Sequence, residues 1–319
     1  MYTPAEYGKI LQMSTKKRVL VEGRDDYYLI LALFEEFLGT EWRDVYNIEI
    51  DKAENSISGP GNRQTIENVV KLVSKTDLRD KLVGLVDREF RNFNWDNGVL
   101  IDQIKKHFID DRILWTRGHS AENYFLDENI LRIPFRDVSG EIFQKAYDMF
   151  RKDLDSYMRI ACKISLTSLI LNYLKRIRAS LGWDIIDDNA RLNIDNWKFH
   201  LGRIGFDVSD IEKIVDTYSE IGTVIDATDI ETVRWFCDGH LSFFFLWCAF
   251  AKCAYMVPEQ VNDKRKVAQG ILKYGDATRF NSCASAWAKS SRTNSCEYPK
   301  ELFILLNVTE RSEGIYHDF

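Results

Sequence analysis

Two short apolar runs restrict what this chain can fold into more than any other feature. Arg18-Val19-Leu20-Val21 closes on Glu22 and Gly23, and Leu82-Val83-Gly84-Leu85-Val86 closes on Asp87, Arg88 and Glu89. An apolar run without polar alternation has to be covered on both faces, which is the condition of an inner strand of a parallel sheet. Each run stops abruptly in a carboxylate. Ligands of open α/β sheets sit outside the carboxyl ends of the strands, so these ends predict one acidic site assembled from distant parts of the chain.

The sequence around the two runs supports such a sheet. After Gly23, the residues Leu29, Leu33, Phe34 and Phe37 recur at helical spacing until Gly39, a glycine of the kind that ends helices. Asp25 and Asp26 fall in the first turn, where acids suit the helix dipole. A strand is expected over Tyr46–Ile50, a turn-rich loop over Asn55–Asn62, and a helix over Arg63–Ser74 with Ile66, Val69, Val70 and Val73 on one face. This alternation predicts a mostly parallel sheet flanked by helices. Next come an expected helix over Val99–His107, a strand over Arg112–Trp115, and a polar loop entering a helix over Thr116–Leu126. Residues 1–17 read as a lead-in. Past about residue 138 the pattern turns helical. Glu141–Ser180 reads as one long helix without Pro or Gly, and further helices are expected over Val208–Ile221, Gly239–Met256 and Asp263–Tyr274. The expected architecture is α/β, with a sheet domain over 1–138 and a mainly helical domain over 139–319 that serves partner, dimer or substrate contacts.

Composition excludes some functions. The 319 residues are 45% hydrophobic and 29% charged, as in globular domains. A net charge of −6 argues against a general polycation, while a local basic groove stays compatible with it. The six cysteines form no C-x-x-C pair, which disfavours zinc and, with no secretory leader, fits reduced thiols in a cytosol. The most apolar run, Leu241–Met256, has 16 residues and contains Lys252. It is shorter than the roughly 20 residues that span a bilayer, so a buried helix and no membrane are expected. No G-K-[ST] sequence occurs, so the Gly59-Pro60-Gly61-Asn62-Arg63 loop is no Walker A motif. It is either a plain turn or a helix start where Arg63 assists a phosphate.

Glu22, Asp87 and Glu89 are the candidate metal ligands, because hard cations such as Mg²⁺ take carboxylate oxygens. An acid-x-acid pair serves one cation only if the chain turns there, since strict strand geometry sends the two side chains to opposite faces. Arg88 and Arg117, next to acids or strand ends, are candidate phosphate contacts. His119 is either a general base or a structural histidine. Phe90, Phe93 and Trp95 flank the acid pair and either stack on unpaired bases or fill the core. The basic clusters Lys16-Lys17-Arg18, Lys105-Lys106-His107, Lys175-Arg176-Ile177-Arg178 and Lys264-Arg265-Lys266 are either nucleic-acid contacts or wet helix faces.

The stretch Val19-Leu20-Val21-Glu22-Gly23-x-x-Asp26, followed by Gly84-Leu85-Val86-Asp87-Arg88-Glu89, resembles the TOPRIM domain of topoisomerases, primases and OLD-family nucleases. The resemblance covers roughly residues 16–130. His119-Ser120-Ala121-Glu122-Asn123-Tyr124 and the later Asp238-Gly239-His240-Leu241 are similar to segments of a TOPRIM-like bacterial family that includes the effector nuclease of the PARIS anti-phage system. The resemblance implies a catalytic Glu22, Mg²⁺ or Mn²⁺ held by Glu22, Asp87, Glu89 and Glu122, and a phosphate-facing group at His240. Two departures from the pattern stand out: Glu89 replaces the usual second Asp, and His240 replaces a Lys, so its charge depends on protonation. The resemblance further implies a toxic nuclease in anti-phage defence, cutting RNA such as tRNA or else DNA, and restrained by an ATPase partner. A homodimer is expected for the active form. Two other readings stay open: a non-catalytic partner-binding module, and a small-molecule phosphotransferase.

Overall fold

A computed structural model describes residues 1–54, 56–257 and 263–308. Asn55, the first residue of the expected loop, lies outside the described residues. The first half of the chain runs α1 (Pro4–Met13), β1 (Lys17–Val21), α2 (Arg24–Leu38), α3 (Trp42–Val45), β2 (Ile48–Lys52), α4 (Asn62–Val73), β3 (Leu82–Val86), β4 (Phe93–Asp96), β5 (Val99–Asp102), β6 (Phe108–Asp110) and β7 (Ile113–Trp115). The second half is helical: α5 (Glu128–Ser139), α6 (Phe143–Lys152), α7 (Leu154–Ile170), α8 (Leu174–Arg178), α9 (Ile194–Arg203), α10 (Val208–Ala227), α11 (Ile230–Phe236), α12 (Gly239–Met256), α13 (Lys264–Leu272), α14 (Asp276–Arg292) and α15 (Glu301–Leu305). The chain divides into two compact units. Among the described residues, one comprises those within 1–88, 104–117 and 287–308, the other those within 89–103 and 118–286.

The first unit holds a five-stranded sheet in the order β2-β1-β3-β7-β6. The first four strands are parallel, and β6 pairs antiparallel with β7 at the edge. Val19, Leu20 and Val21 of β1 are fully buried, as the continuous apolar run requires. The crossover β1–α2–β2 moves one way along the sheet and β2–α4–β3 moves back. Right-handed connections therefore place α2 and α4 on opposite faces. On the α4 face, Leu20, Leu82 and Val86 pack with Tyr7 and Leu11 of α1 and with Ile66, Val69 and Val70 of α4. Gly84 makes this approach possible: a Cβ there would lie 2.6 Å from Ile66 Cγ2 and 3.1 Å from Val70 Cγ2. On α2, Phe34 and Phe37 meet Trp42, Tyr298 and Phe303 at ring separations of 4.9–5.7 Å.

The expected boundary at residue 138 differs from this division, because the chain end returns to the sheet unit. Lys17 Nζ donates to Leu306 O at 2.5 Å, and Arg292 Nη1 donates to Glu36 O at 3.0 Å. The lead-in is largely a helix, α1, started by a capping box between Thr3 and Glu6. Two members of the basic cluster at the start of β1 are paired with acids of β2: Lys16 with Glu49, and Arg18 with Glu49 and Asp51.

The second unit is organised on α12, which buries residues on all sides and packs against α6, α7 and α13. Phe250 stacks on Phe135 at 4.0 Å, and Lys252 reaches Asp188 at 2.7 Å. The expected helix over Glu141–Ser180 is three helices, because the chain turns at Asp153 and again at Asn172, which adopts φ +57°. The expected helix over Val99–His107 is absent. Residues 93–102 form the antiparallel hairpin β4–β5, closed at Asn97-Gly98 with φ of +49° and +78°. Two successive left-handed residues make the turn type that matches the twist of paired strands. Among the described residues, no helix is long and apolar enough to cross a membrane.

Gly84→Val should collide with α4 and destabilise the protein by about 1–3 kcal/mol, the usual cost of overpacking a core. Urea unfolding should show a lower midpoint with an unchanged slope.

Candidate functional site

In the sheet unit, β1 and β3 are neighbours, with Val21 in register with Leu85. The residues that follow them, Glu22 and Asp87, therefore emerge side by side at the carboxyl edge of the sheet. The backbone of Glu22 is fixed from the other side too, since its carbonyl accepts from Glu54 N–H at 3.1 Å. Its carboxylate Oε1 accepts from Asp87 N–H at 2.9 Å. These two acids lie 65 positions apart in sequence, yet the sheet brings them together. Both offer hard oxygen donors, the type that Mg²⁺ selects. Asp26 acts locally, where its Oδ2 accepts from Gly23 N–H at 3.1 Å and caps α2. Arg63 is in the first turn of α4, which follows the carboxyl end of β2 and so starts at the same edge; it lies 3.8 Å from Glu67.

The two strand-end arginines do not reach out toward phosphate as expected. Arg88 is 1% exposed, and Nη1 donates to Arg117 O at 3.0 Å. Arg117 is 3% exposed and lies 3.8 Å from Glu297. Arg88 thus ties the chain after β3 to the chain after β7, and Arg117 faces an acid of the C-terminal segment. His107 of the expected basic cluster is also buried, 3.6 Å from Glu301.

In the helical unit, Glu89, His119, Glu122, Asp238 and His240 form one charged cluster. Glu89 adopts φ +51°, so the chain turns there instead of continuing as strand. Its N–H donates to His119 O at 3.0 Å, and His119 N–H donates to Trp235 O at 2.8 Å. Glu122 sits in the 3₁₀ turn Ala121–Phe125 and is buried. Its Oε2 accepts from Ser120 Oγ at 2.8 Å and lies 3.1 Å from His240 Nδ1. Burial opposes the charge on Glu122, but His240 and the Ser120 hydroxyl hold its carboxyl below the ordinary carboxylate value. The His240 ring itself is 51% exposed, at the start of α12. The pair is thus an exposed imidazole oriented by a buried acid. His119 is pushed below the ordinary imidazole value by burial, with Asp238, Glu89 and Glu122 pulling the other way. Its Nδ1 is buried and makes no hydrogen bond among the described residues.

One residue that positions this cluster was not singled out from the sequence. Asn123 is fully buried, and its amide bonds the backbone at three places. Its Oδ1 accepts from Ser120 N–H at 2.8 Å, while Nδ2 donates to Arg234 O at 2.7 Å and to Cys237 O at 3.0 Å. It ties the Glu122 turn to the end of α11, and so to the Asp238 cap that starts α12. The available signal was Ser120-x-x-Asn123, the spacing of a capping box. Gly239 lets α12 approach this turn: a Cβ there would lie 2.2 Å from Ser120 Oγ.

Asn123→Ala strands Ser120 N–H and Cys237 O, while Arg234 O keeps the Cys237 thiol at 3.4 Å. It should destabilise the protein by about 2 kcal/mol or more, at 1–3 kcal/mol per stranded group, measured by urea unfolding. The pH dependence of stability follows from the same burial. His107 is pushed down to about 3, chiefly by burial, with Arg117 and Lys300 adding to it. Native His107 and His119 both bind protons less readily than in the unfolded chain. Their contribution is complete above the ordinary imidazole value of 6.5 and is lost as the pH falls below it. Glu122 acts with the same sign, its contribution being present above 4.5 and lost as the pH falls through its lower native value. The thermal midpoint should drop between about pH 7 and pH 5, and His107→Gln should flatten that slope.

Compared with known proteins, the chain matches no protein-family model and no curated sequence.

Proposed function

We propose that this chain is a Mg²⁺- or Mn²⁺-dependent nuclease of the TOPRIM type, acting in the bacterial cytoplasm as a toxic effector of anti-phage defence. The observation that carries the proposal is the pairing of Glu22 with Asp87 across adjacent parallel strands at the carboxyl edge of the sheet. Two acids fixed by backbone geometry at that edge suit a hard cation better than two solvated loop acids would. In this reading Glu22 and Asp87 hold the cation, and Glu89 and Glu122 are the further acids that the sequence resemblance implies. A bound cation would polarise the phosphodiester and lower the pKa of a bound water. His119, held neutral by burial, is the proton acceptor of the helical unit. Glu122 orients His240, whose exposed ring meets the substrate. RNA such as tRNA is the favoured substrate over DNA, on resemblance alone. The same resemblance supplies the ATPase partner that restrains the activity, and a homodimer is proposed for the active form.

Purified protein incubated with Mg²⁺ should cleave tRNA or DNA, and Glu22→Gln should lower the rate at least about 100-fold, as loss of a catalytic acid or base does. Equal cleavage by both proteins would overturn the proposal, as would no cleavage by wild type freed of any partner. If Glu22→Gln then kept full toxicity or defence in cells, the partner-binding reading would replace it.

A further inference from the structure

The hairpin β4–β5 carries a row of aromatic rings that core packing does not explain. Strand alternation places Phe93 and Trp95 on the same face as Leu100 and Asp102 of the paired strand. Leu100 and Asp102 are buried, as a face turned to the protein should be. Trp95, directly opposite Leu100, is nevertheless 48% exposed. It rests edge-on against Phe236, with ring centroids 6.1 Å apart. Phe236 is buried at the end of α11 and also receives Phe93 at 5.3 Å and Phe90 at 5.1 Å. Phe90 in turn lies 4.4 Å from the His119 ring. The rings thus form a continuous path inside the helical unit, from the charged cluster around His119 out to the exposed Trp95.

A single exposed tryptophan is unremarkable. An exposed indole at the end of an aromatic row that begins at His119, in the cluster that holds the exposed His240 imidazole, is different, because it combines an apolar ring face with an imidazole that meets phosphate when protonated. A nucleotide has the two matching parts, a planar apolar base and a charged phosphate ester. Base faces are available for stacking only where the nucleic acid is unpaired. We propose that Trp95, supported by Phe236, is the stacking platform for an unpaired base of the nucleic-acid substrate, which makes a single-stranded or looped segment the preferred substrate. This deepens the nuclease reading and rests on it for the identity of the ligand.

The test is fluorescence anisotropy of the full-length protein with three labelled short oligonucleotides, in RNA and DNA form: single-stranded, duplex, and an abasic backbone of equal length. Chelator is present throughout, so that no cleavage is needed. Wild type should bind the single strand more tightly than the duplex or the abasic backbone. Trp95→Ala should weaken single-strand binding on the order of ten-fold, the effect of losing one stacked base, and leave abasic binding unchanged. Trp95→Phe should keep most of the affinity, and circular dichroism should show all variants folded. Unchanged single-strand binding by Trp95→Ala overturns the proposal, as does equal wild-type binding to the abasic backbone. Loss of self-association on light scattering, with binding unaltered, would instead assign Trp95 to a second copy of the chain and likewise overturns it. Cleavage that depends on Glu22 but not on Trp95 would remove the platform and keep the nuclease. Binding that depends on Trp95 without any cleavage would do the reverse.

Discussion

The hydrogen bond from Asp87 N–H to Glu22 Oε1 exists only because β1 and β3 lie next to each other and run parallel. That adjacency rests on burial of both faces of β1, whose Val19, Leu20 and Val21 are wholly withdrawn from water. Each apolar side chain so buried contributes about 1.5–3 kcal/mol relative to exposure. The acids that end the strands are polar groups placed where that burial stops. A charge-assisted hydrogen bond is about twice as strong as a neutral one, so Glu22 is held in one orientation before any ligand arrives.

The helical unit builds its cluster by a different means. No sheet sets the positions of Glu122 and His240. They are set by buried polar contacts: Asn123 holds Ser120 N–H and the carbonyls of Arg234 and Cys237, Ser120 Oγ holds Glu122, and Asp238 caps the start of α12. Such a network is stable only when complete, since the low local dielectric that strengthens each bond also penalises each missing one. The small residue Gly239 is part of the same arrangement, because any side chain there would occupy the place of the Ser120 hydroxyl. The consequence is a buried carboxylate with an exposed imidazole oriented on it.

The inner strands, α2, α4 and α12 were legible in the sequence because each buries a full stripe or a full run of apolar residues, and such patterns survive any tertiary context. Gly39 and Asp26 act at the ends of α2 as their residue types suggest. The helix expected over Val99–His107 is wrong at β5, the second strand of a hairpin whose Asn97-Gly98 carries a strong turn signal. The break at Asn172 was missed because a left-handed residue other than glycine leaves little trace in sequence. The return of residues 287–308 to the sheet unit could not be read at all, as it depends on long-range contacts such as Lys17 with Leu306. The placement of Glu22 and Asp87 at neighbouring strand ends was legible from the two apolar runs. The burial of Arg88 and Arg117 was not, because a guanidinium that caps strand-end carbonyls looks the same in sequence as one that waits for phosphate.

The central claim is that Glu22 and Asp87 together form a divalent-cation site. Binding of Mn²⁺, followed by electron paramagnetic resonance of the free ion, tests it without reference to any substrate. The account predicts that wild type takes up the cation and that Asp87→Asn and Glu22→Gln, both folded, lose that uptake. Equal uptake by wild type and both variants would contradict it.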